Sequence, residues 1–332
     1  MFYNRVVCMT GRPLVSIALC TYNGAKFLPP LLQSIQNQAY SNTEIVILDD
    51  HSTDDTFKIL TAFAKADIRV KLHRNKRNLG FLKNFEKAMR LCRGDLIAMC
   101  DQDDIWHPKK IELQVAAIGD NLVNYHDSEF ISQDNEPLNK KMSDVVNFYS
   151  GDQPEVFLLK NCVSGHAILA KRELLNYALP LQGSFHDWWL AYVAANHGSI
   201  NYIPQCLVQY RQHEESTTDL LAIKEKTREE MEAEQLKREI KWLEICAAYP
   251  RNKNPEFVKT LYRLFRDRMS SYFSFALARF MMAHASVLLY ISNRSRESKL
   301  RSIKRLNWGI KARNLWYQFI KGDRRKVVQP AA

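Results

Sequence analysis

Residues 94–110 read GDLIAMCDQDDIWHPKK. A short apolar run, Leu96–Cys100, ends in three aspartates within four positions, Asp101, Asp103 and Asp104. Bounded apolar runs of this length suit a strand buried on both faces. Carboxylates packed together at its end repel one another, so the segment needs a compensating partner. A divalent cation is one answer, because Mg²⁺ and Mn²⁺ take hard oxygen ligands, often one or two carboxylates plus substrate phosphates. The spacing Asp101-Gln102-Asp103 puts two carboxylates on one side of an extended segment. Asp104 reads instead as the cap of the next helix, with Pro108 near its start and Lys109–Val115 continuing it.

The same pattern recurs upstream. Val15–Cys20, Glu44–Leu48, Ile68–Leu72 and Asp95–Met99 read as strands at roughly 27-residue intervals. Helical spacing over Phe27–Gln38, Asp54–Lys65 and Phe81–Leu91 separates them. Such βαβ units predict a parallel sheet covered by helices, with ligands at the carboxyl ends of its strands. The polar clusters CTYNG, DDHSTDD, HRNKRNLG and DQDDIW follow the four strands and fall on that edge. No strand is followed by GxGxxG or GxxxxGK[ST], which weakens the dinucleotide and phosphate-loop readings.

Beyond residue 120 the pattern is mixed. Asn161–Ala170 reads as turn then strand, Asp187–Asn196 as a helix, and Ile200–Ile203 and Cys206–Tyr210 as short strands. Charge then separates the chain. Residues 1–215 hold 22 Lys+Arg against 24 Asp+Glu, and residues 216–332 hold 25 against 12. The net charge of +11 therefore belongs to the C-terminal third, which implies a different partner there. Leu220–Cys246 reads as a charge-laced helix and Pro250–Asn254 as a break. Met269–Ser292 is long enough to span a bilayer, but Arg279 and His284 oppose that, and a packed or interfacial helix is expected. Ser302–Phe319 interleaves Lys/Arg with Trp308, Leu315, Trp316 and Phe319, as in a helix lying on an anionic membrane. A solvated basic helix on the protein's own core is the competing reading. No nucleic-acid motif is present. Seven dispersed cysteines without a CxxC pair suit reduced thiols in a cytosolic setting. The N-terminus lacks a long apolar stretch, and no signal peptide is expected.

Taken together, VSIALCTYNG, EIVILDDHSTDDT, the Asn78-Leu79-Gly80 turn and CDQDDIWHPKK resemble the nucleotide-sugar-binding half of family 2 glycosyltransferases. The resemblance covers roughly residues 13–215. HDWW (186–189) and YRQH (210–213) are similar to bacterial rhamnosyltransferase-like members that build surface polysaccharides. The resemblance implies an α/β GT-A fold: a Rossmann-like, mostly parallel sheet flanked by helices. Nucleotide-sugar binding is expected over about 13–120, the acceptor side over 121–215, and a helical basic extension over 216–332.

The resemblance also implies roles. Asp50 would contact the base of a nucleoside diphosphate, with Asp49 structural. Tyr22 and the backbone at Cys20 and Thr21 would lie along the base, while Asn23 holds the turn. Asn78 and Asp101 join the nucleotide site. Asp103 would bind Mn²⁺ or Mg²⁺, with His213 completing the metal shell and Arg211 pairing with the diphosphate. Asp187 would be the general base of an inverting transfer. There the sequence departs from the family pair, because His186 stands where an acidic residue is expected. Trp188 and Trp189 would wall the acceptor site, one of them joining the core. The implied partners are a dTDP-, UDP- or GDP-sugar, with rhamnose favoured, a glycan or lipid-linked acceptor, and an anionic membrane surface at the cytoplasmic face. The alternative is a catalytically degenerate scaffold or nucleotide-sugar-binding protein of an assembly complex. It predicts loss of Asp103 or Asp187, and both are present.

Overall fold

The computed structural model describes residues 11–213, 228–293, 295–306, 308 and 311–312. Among them, 11–154 with 161–213 form one compact unit, and 155–160 with those from 228 onward form another. The expected domain boundary at 215 lies outside the described residues, as do Leu220 and residues 313–319 of the basic C-terminal stretch.

The first unit opens with the alternation read from the sequence. Its first half comprises β1 (Val15–Thr21), α1 (Leu28–Gln36), β2 (Thr43–Asp49), α2 (Thr56–Ala66), β3 (Val70–Arg74), α3 (Phe81–Leu91) and β4 (Leu96–Cys100). β1, β2 and β4 are buried along their whole length. That burial on both faces is why they read as continuous apolar runs rather than alternating ones. Leu28, Leu31, Leu32 and Ile35 of α1 pack against Val15, Ile17, Leu19 and Ile47 in the core.

The second half differs from the expectation. β5 (Ile105–Trp106), α4 (Lys110–Ala117), β6 (Val123–Ile131) and β7 (Pro137–Lys141) come first. Then follow β8 (Leu169–Lys171), α5 (Leu175–Ala178), α6 (His186–His197) and β9 (Ile200–Arg211). The sheet order is β3-β2-β1-β4-β8-β6-β9-β5, with β7 paired to β6. β3, β2, β1 and β4 run parallel, whereas β8 lies antiparallel to both β4 and β6. The two short strands expected at 200–203 and 206–210 are one strand. β9 pairs in parallel with β6 through register shifts near Asp127, which absorb Pro204 and Gln205. A bulge of this kind lets a strand keep its pairing across residues that break the alternation.

Gly94 fixes the close entry of β4. A Cβ there would lie 2.6 Å from Leu14 O and 2.7 Å from Ser16 N.

The second unit is helical: α7 (Arg228–Ala248), α8 (Pro255–Arg268), α9 (Phe275–Ala283), α10 (Ala285–Leu288) and α11 (Arg296–Leu306). Leu236, Trp242, Leu243 and Cys246 of α7 and Val258, Leu261 and Phe265 of α8 are buried in it, as are Leu277 and Met281 of α9. The break expected at Pro250–Asn254 is present, and Asn252 Nδ2 donates to the carbonyls of Cys246 and Tyr249 at the end of α7. The apolar stretch Met269–Ser292 is not one helix; α9 and α10 divide it at His284. Among the described residues, no helix is long and apolar enough to cross a membrane.

Gly94→Ala is expected to lower the unfolding free energy by about 1–3 kcal/mol, because the new methyl meets backbone rather than a mobile side chain. Urea denaturation measures it, and an unchanged midpoint would mean that β1 and β4 can separate there.

Candidate active site

The carboxyl ends of β1, β2 and β4 converge on one edge of the sheet, because these strands are parallel neighbours. Thr21 and Asp49 are register partners there, and Thr21 Oγ1 donates to Asp49 Oδ1 at 3.3 Å. Asp49 is fully buried. It also accepts from the Ser52 amide at 3.1 Å and pairs with Arg74 Nε at 3.2 Å. Its carboxylate holds the β2 turn. Asn23 adopts a left-handed conformation (φ +48°), and its side-chain oxygen accepts from the Thr53 amide at 2.8 Å.

Asp50 is also buried. Its Oδ1 accepts from Leu79 N (2.8 Å) and Asn75 Nδ2 (2.7 Å), and its Oδ2 from Gly80 N (2.9 Å). The Asn78-Leu79-Gly80 turn is therefore tied to the end of β2, and Asn78 Oδ1 closes it by accepting from Gly80 N. A carboxylate oxygen takes two hydrogen bonds readily, so Oδ2 retains capacity for a ligand. Cys20 is buried, whereas the Tyr22 ring is 46% exposed.

The acidic loop after β4 is fastened from two sides. Gln102 Oε1 accepts from Tyr22 N at 2.8 Å, and Gln102 Nε2 donates to Tyr22 O at 3.1 Å. Gly24 makes room for that amide, since a Cβ there would overlap it. From the other side comes Arg211, the last residue of β9. Its guanidinium donates to the carbonyls of Asp103 (2.7 Å), Ser132 (3.0 Å) and Gln133 (3.1 Å) and to Asn135 Oδ1 (2.8 Å). Its own amide donates to Asp104 Oδ1 at 3.0 Å. Arg211 is 1% exposed. The expectation that it pairs with a diphosphate is corrected: its donors are taken up by the protein, and it braces the acidic loop.

Asp104 is corrected as well. It does not cap α4, whose preceding residue is Lys109. It is fully buried, and its Oδ2 has no hydrogen-bond partner among the described residues. That oxygen lies 3.4 Å from His166 Nδ1, which is 3.9 Å from Asp101 Oδ2. His166 Nε2 is 2.8 Å from Ser128 Oγ. Burial, together with the charges of Asp103 and then its neighbours, holds Asp101 and Asp104 above the usual carboxylate range. Beneath them Lys110 is fully buried. Its Nζ sits 3.8 Å over the Trp106 ring and donates to Gln114 Oε1 at 3.1 Å. Burial pulls this lysine down to about 7, against the opposing pull of Cys100, Asp104 and Asp101.

Asp103 and His213 are brought together as the sequence suggested, with His213 Nε2 at 3.0 Å from Asp103 Oδ2. The His213 ring rests on Phe27, centroids 4.9 Å apart. Asp101, Asp104 and His166 offer a second set of atoms within 4.8 Å of one another. Both sets are oxygen and imidazole donors, and Asp104 Oδ2 is an orphaned buried acceptor. That chemistry fits a hard divalent cation.

Asp187 stands in the first turn of α6 and accepts from the amides of Trp188 (2.7 Å) and Gly165. Burial nonetheless raises it to about 7. It lies close enough to Asp101 for its charge to raise that residue. His186 is buried and stacks on Phe85 at 4.1 Å, with neither ring nitrogen hydrogen-bonded among the described residues. Burial holds it down to about 3, so it is a neutral imidazole beside the carboxylate. Of the two tryptophans, Trp189 is core, 3% exposed, and donates to Ala178 O at 2.7 Å. Its expected place on an acceptor wall is corrected, and Trp188 is the partly exposed one.

Sequence reasoning missed His166, Asp104, Gln102 and Lys110. Their roles arise from long-range packing, and His166 sits in NCVSGHAILA without a local signature. A cavity of about 550 Å³ lined by Arg90, Arg172, Glu173, Leu175, Asn176 and Leu179 contains none of these groups.

Residues 16–178 match the model of the family described as Glycosyl transferase family 2. Among curated relatives, the putative glycosyltransferase EpsH of Bacillus subtilis is 30% identical over 220 residues, 60% of this chain and 61% of that one. The UDP-Glc:alpha-D-GlcNAc-diphosphoundecaprenol beta-1,3-glucosyltransferase WfgD of Escherichia coli is 31% identical over 167 residues, 49% of this chain and 62% of that one. The chain spans less than two thirds of the length of these relatives. Among solved structures, the mannosyltransferase PcManGT of Pyrobaculum calidifontis, in complex with GDP-Man and Mn²⁺, superposes with a TM-score of 0.54. That match has 16% identity and covers 92% of this chain and 88% of that one. The fold is GT-A.

Arg211→Lys is expected to destabilise the protein by about 1–3 kcal/mol, because one ammonium cannot serve the buried acceptors that the guanidinium serves. Thermal unfolding measures this, and an unshifted midpoint would show that the brace carries no stability.

Proposed function

Residues 16–178 belong to glycosyl transferase family 2, and from that premise we propose that the chain transfers a sugar from a nucleoside diphosphate to a hydroxyl acceptor. The carrying observation is the convergence of Asp103 and His213 with Asp101 and Asp187 at the carboxyl edge of the sheet. The N-terminal unit is the catalytic one in this reading. Tyr22 offers an exposed face to the base, Asp50 Oδ2 accepts from it, and Cys20, Thr21, Asn78 and Asp101 shape the nucleotide site.

Asp103 and His213 would hold Mn²⁺ or Mg²⁺. When bound, the cation neutralises charge on the departing diphosphate as a Lewis acid. The protein's own part is to keep these ligands in place through Gln102 and Arg211 and to position Asp187. Asp187 takes the proton from the acceptor hydroxyl, whose oxygen attacks the anomeric carbon opposite the diphosphate and inverts the centre. A base must be ionised to act, and a carboxylate raised to about 7 is poised at the working pH. Trp188 faces the acceptor.

The acceptor is a glycan or a lipid-linked diphosphate in cell-surface polysaccharide synthesis. The WfgD relative is named for a reaction on a diphosphoundecaprenol-linked sugar, which supports the lipid-linked form. In this reading the reaction takes place at the cytoplasmic face of the membrane. The donor is one of the TDP-, UDP- or GDP-sugars, rhamnose among them.

Asp187→Asn is expected to abolish transfer, by about 10²–10⁴-fold, with nucleotide binding retained. In the wild type, transfer should rise with pH through about 7, as Asp187 loses its proton. Full turnover by the variant, or a rate that falls over that pH range, would remove the base assignment.

Calorimetric titration with TDP, UDP and GDP, with and without Mn²⁺, tests the donor reading. One of the three should bind in a metal-dependent way, and Asp103→Ala should weaken that binding about tenfold or more. If a folded sample binds none of them, the glycosyltransferase reading fails.

A further inference from the structure

We propose that Tyr272, Phe273, Phe275 and Trp308 form a face by which the C-terminal unit docks on an anionic lipid surface. The proposal gives the reaction above a membrane partner and rests on that reading for its purpose, not for its test. In α9, Leu277, Ala278 and Met281 face inward. Phe275, in the first turn of that helix, is 71% exposed, and Phe273 just before it is 53% exposed. Their rings stack with centroids 6.0 Å apart, and Phe273 meets Trp308 at 5.3 Å. The backbones of Phe273 and Trp308 are joined by an antiparallel bridge, and Arg268 Nε donates to Trp308 O at 3.4 Å. Trp308 is thus held in place by its backbone while half of its surface stays outside. Tyr272, next in the chain to Phe273, is 51% exposed, with Lys311 Nζ 5.9 Å from its ring centroid.

Contiguous exposed aromatic surface marks an interaction site rather than ordinary surface. Two features choose lipid over protein. Trp and Tyr are favoured where hydrocarbon meets headgroups. Lys299, Lys304 and Lys311 have no acidic partner among the described residues. Protein interfaces are depleted in lysine, whereas an anionic headgroup layer attracts it. The excess of 25 Lys+Arg over 12 Asp+Glu in residues 216–332 points the same way. With α9 and α10 separated at His284, these rings reach the headgroup boundary without a spanning helix.

The full chain would be sedimented with vesicles of phosphatidylcholine alone and of phosphatidylcholine with phosphatidylglycerol. Binding is expected only to the second, and to weaken with salt. Phe273→Ala with Phe275→Ala should lower partitioning about tenfold or more, and Lys304→Glu with Lys311→Glu by at least about as much. Nucleoside diphosphate binding should be unchanged in both variants, and their circular dichroism and thermal unfolding should match the wild type, which certifies the fold of both units. Failure to sediment, equal binding to both vesicles, or variants that partition like the wild type would overturn the proposal. So would a dimer in light scattering that Phe275→Ala dissolves, which assigns the face to a second copy. Vesicle binding without any nucleotide binding would leave this proposal standing and remove the catalytic one.

Discussion

Three carboxylates at the end of a buried strand are the constraint on which the site depends. Asp101, Asp103 and Asp104 leave β4 where water is scarce, and each one's charge raises the cost of its neighbours'. The protein answers with different groups for different carboxylates. Asp103 has His213. Asp104 has the Arg211 amide on one oxygen and His166 near the other. Lys110 is buried nearby, where the charges of Asp104 and Asp101 oppose the loss of its proton that burial favours. All of these partners come from elsewhere in the chain: the end of β9, the turn before β8 and the start of α4. The irregular second half of the sheet is therefore what brings compensation to the regular first half.

The first half was legible because its signals are local. Buried strands of about the right length, separated by amphipathic helices, show themselves in composition and spacing. The polar cluster after each strand follows from the same alternation. The second half was not legible, because β6 is recognisable only through its pairing with β9 and β8. Its sequence, VNYHDSEFI, carries Asn, His, Asp and Ser at buried positions and so lacks an apolar signature. The site shows the same divide. Asp103 with His213 and the carboxylate Asp187 carried motif information. Arg211 was misread because a charged residue at a strand end looks like a ligand group, and nothing in the sequence reveals the three carbonyls waiting for it. The tryptophan pair was separable only by helical phase, since Trp189 turns toward the carbonyl of Ala178.

The C-terminal unit shows the limit of reading hydropathy by length. Met269–Ser292 holds enough apolar residues for a span, yet the helix ends and restarts within it. Its inward residues make a small core, and its outward ones leave rings in solvent. The number of apolar residues was readable, but the direction of each depends on where the helices break.

The Gln102 amide touches Tyr22 only through the backbone N–H and carbonyl. The latch between the first and fourth strand ends is therefore indifferent to the side chain at position 22. An exposed ring held by a contact that ignores it is a position where substitution is cheap. In the proposed nucleotide site, preference for the base would then shift through exchanges at this residue while the acidic loop keeps its shape. At Gly24, by contrast, a side chain would push the Gln102 amide aside and open that latch. Within one turn of chain, the protein thus sets a freely exchangeable position beside one that keeps the latch closed.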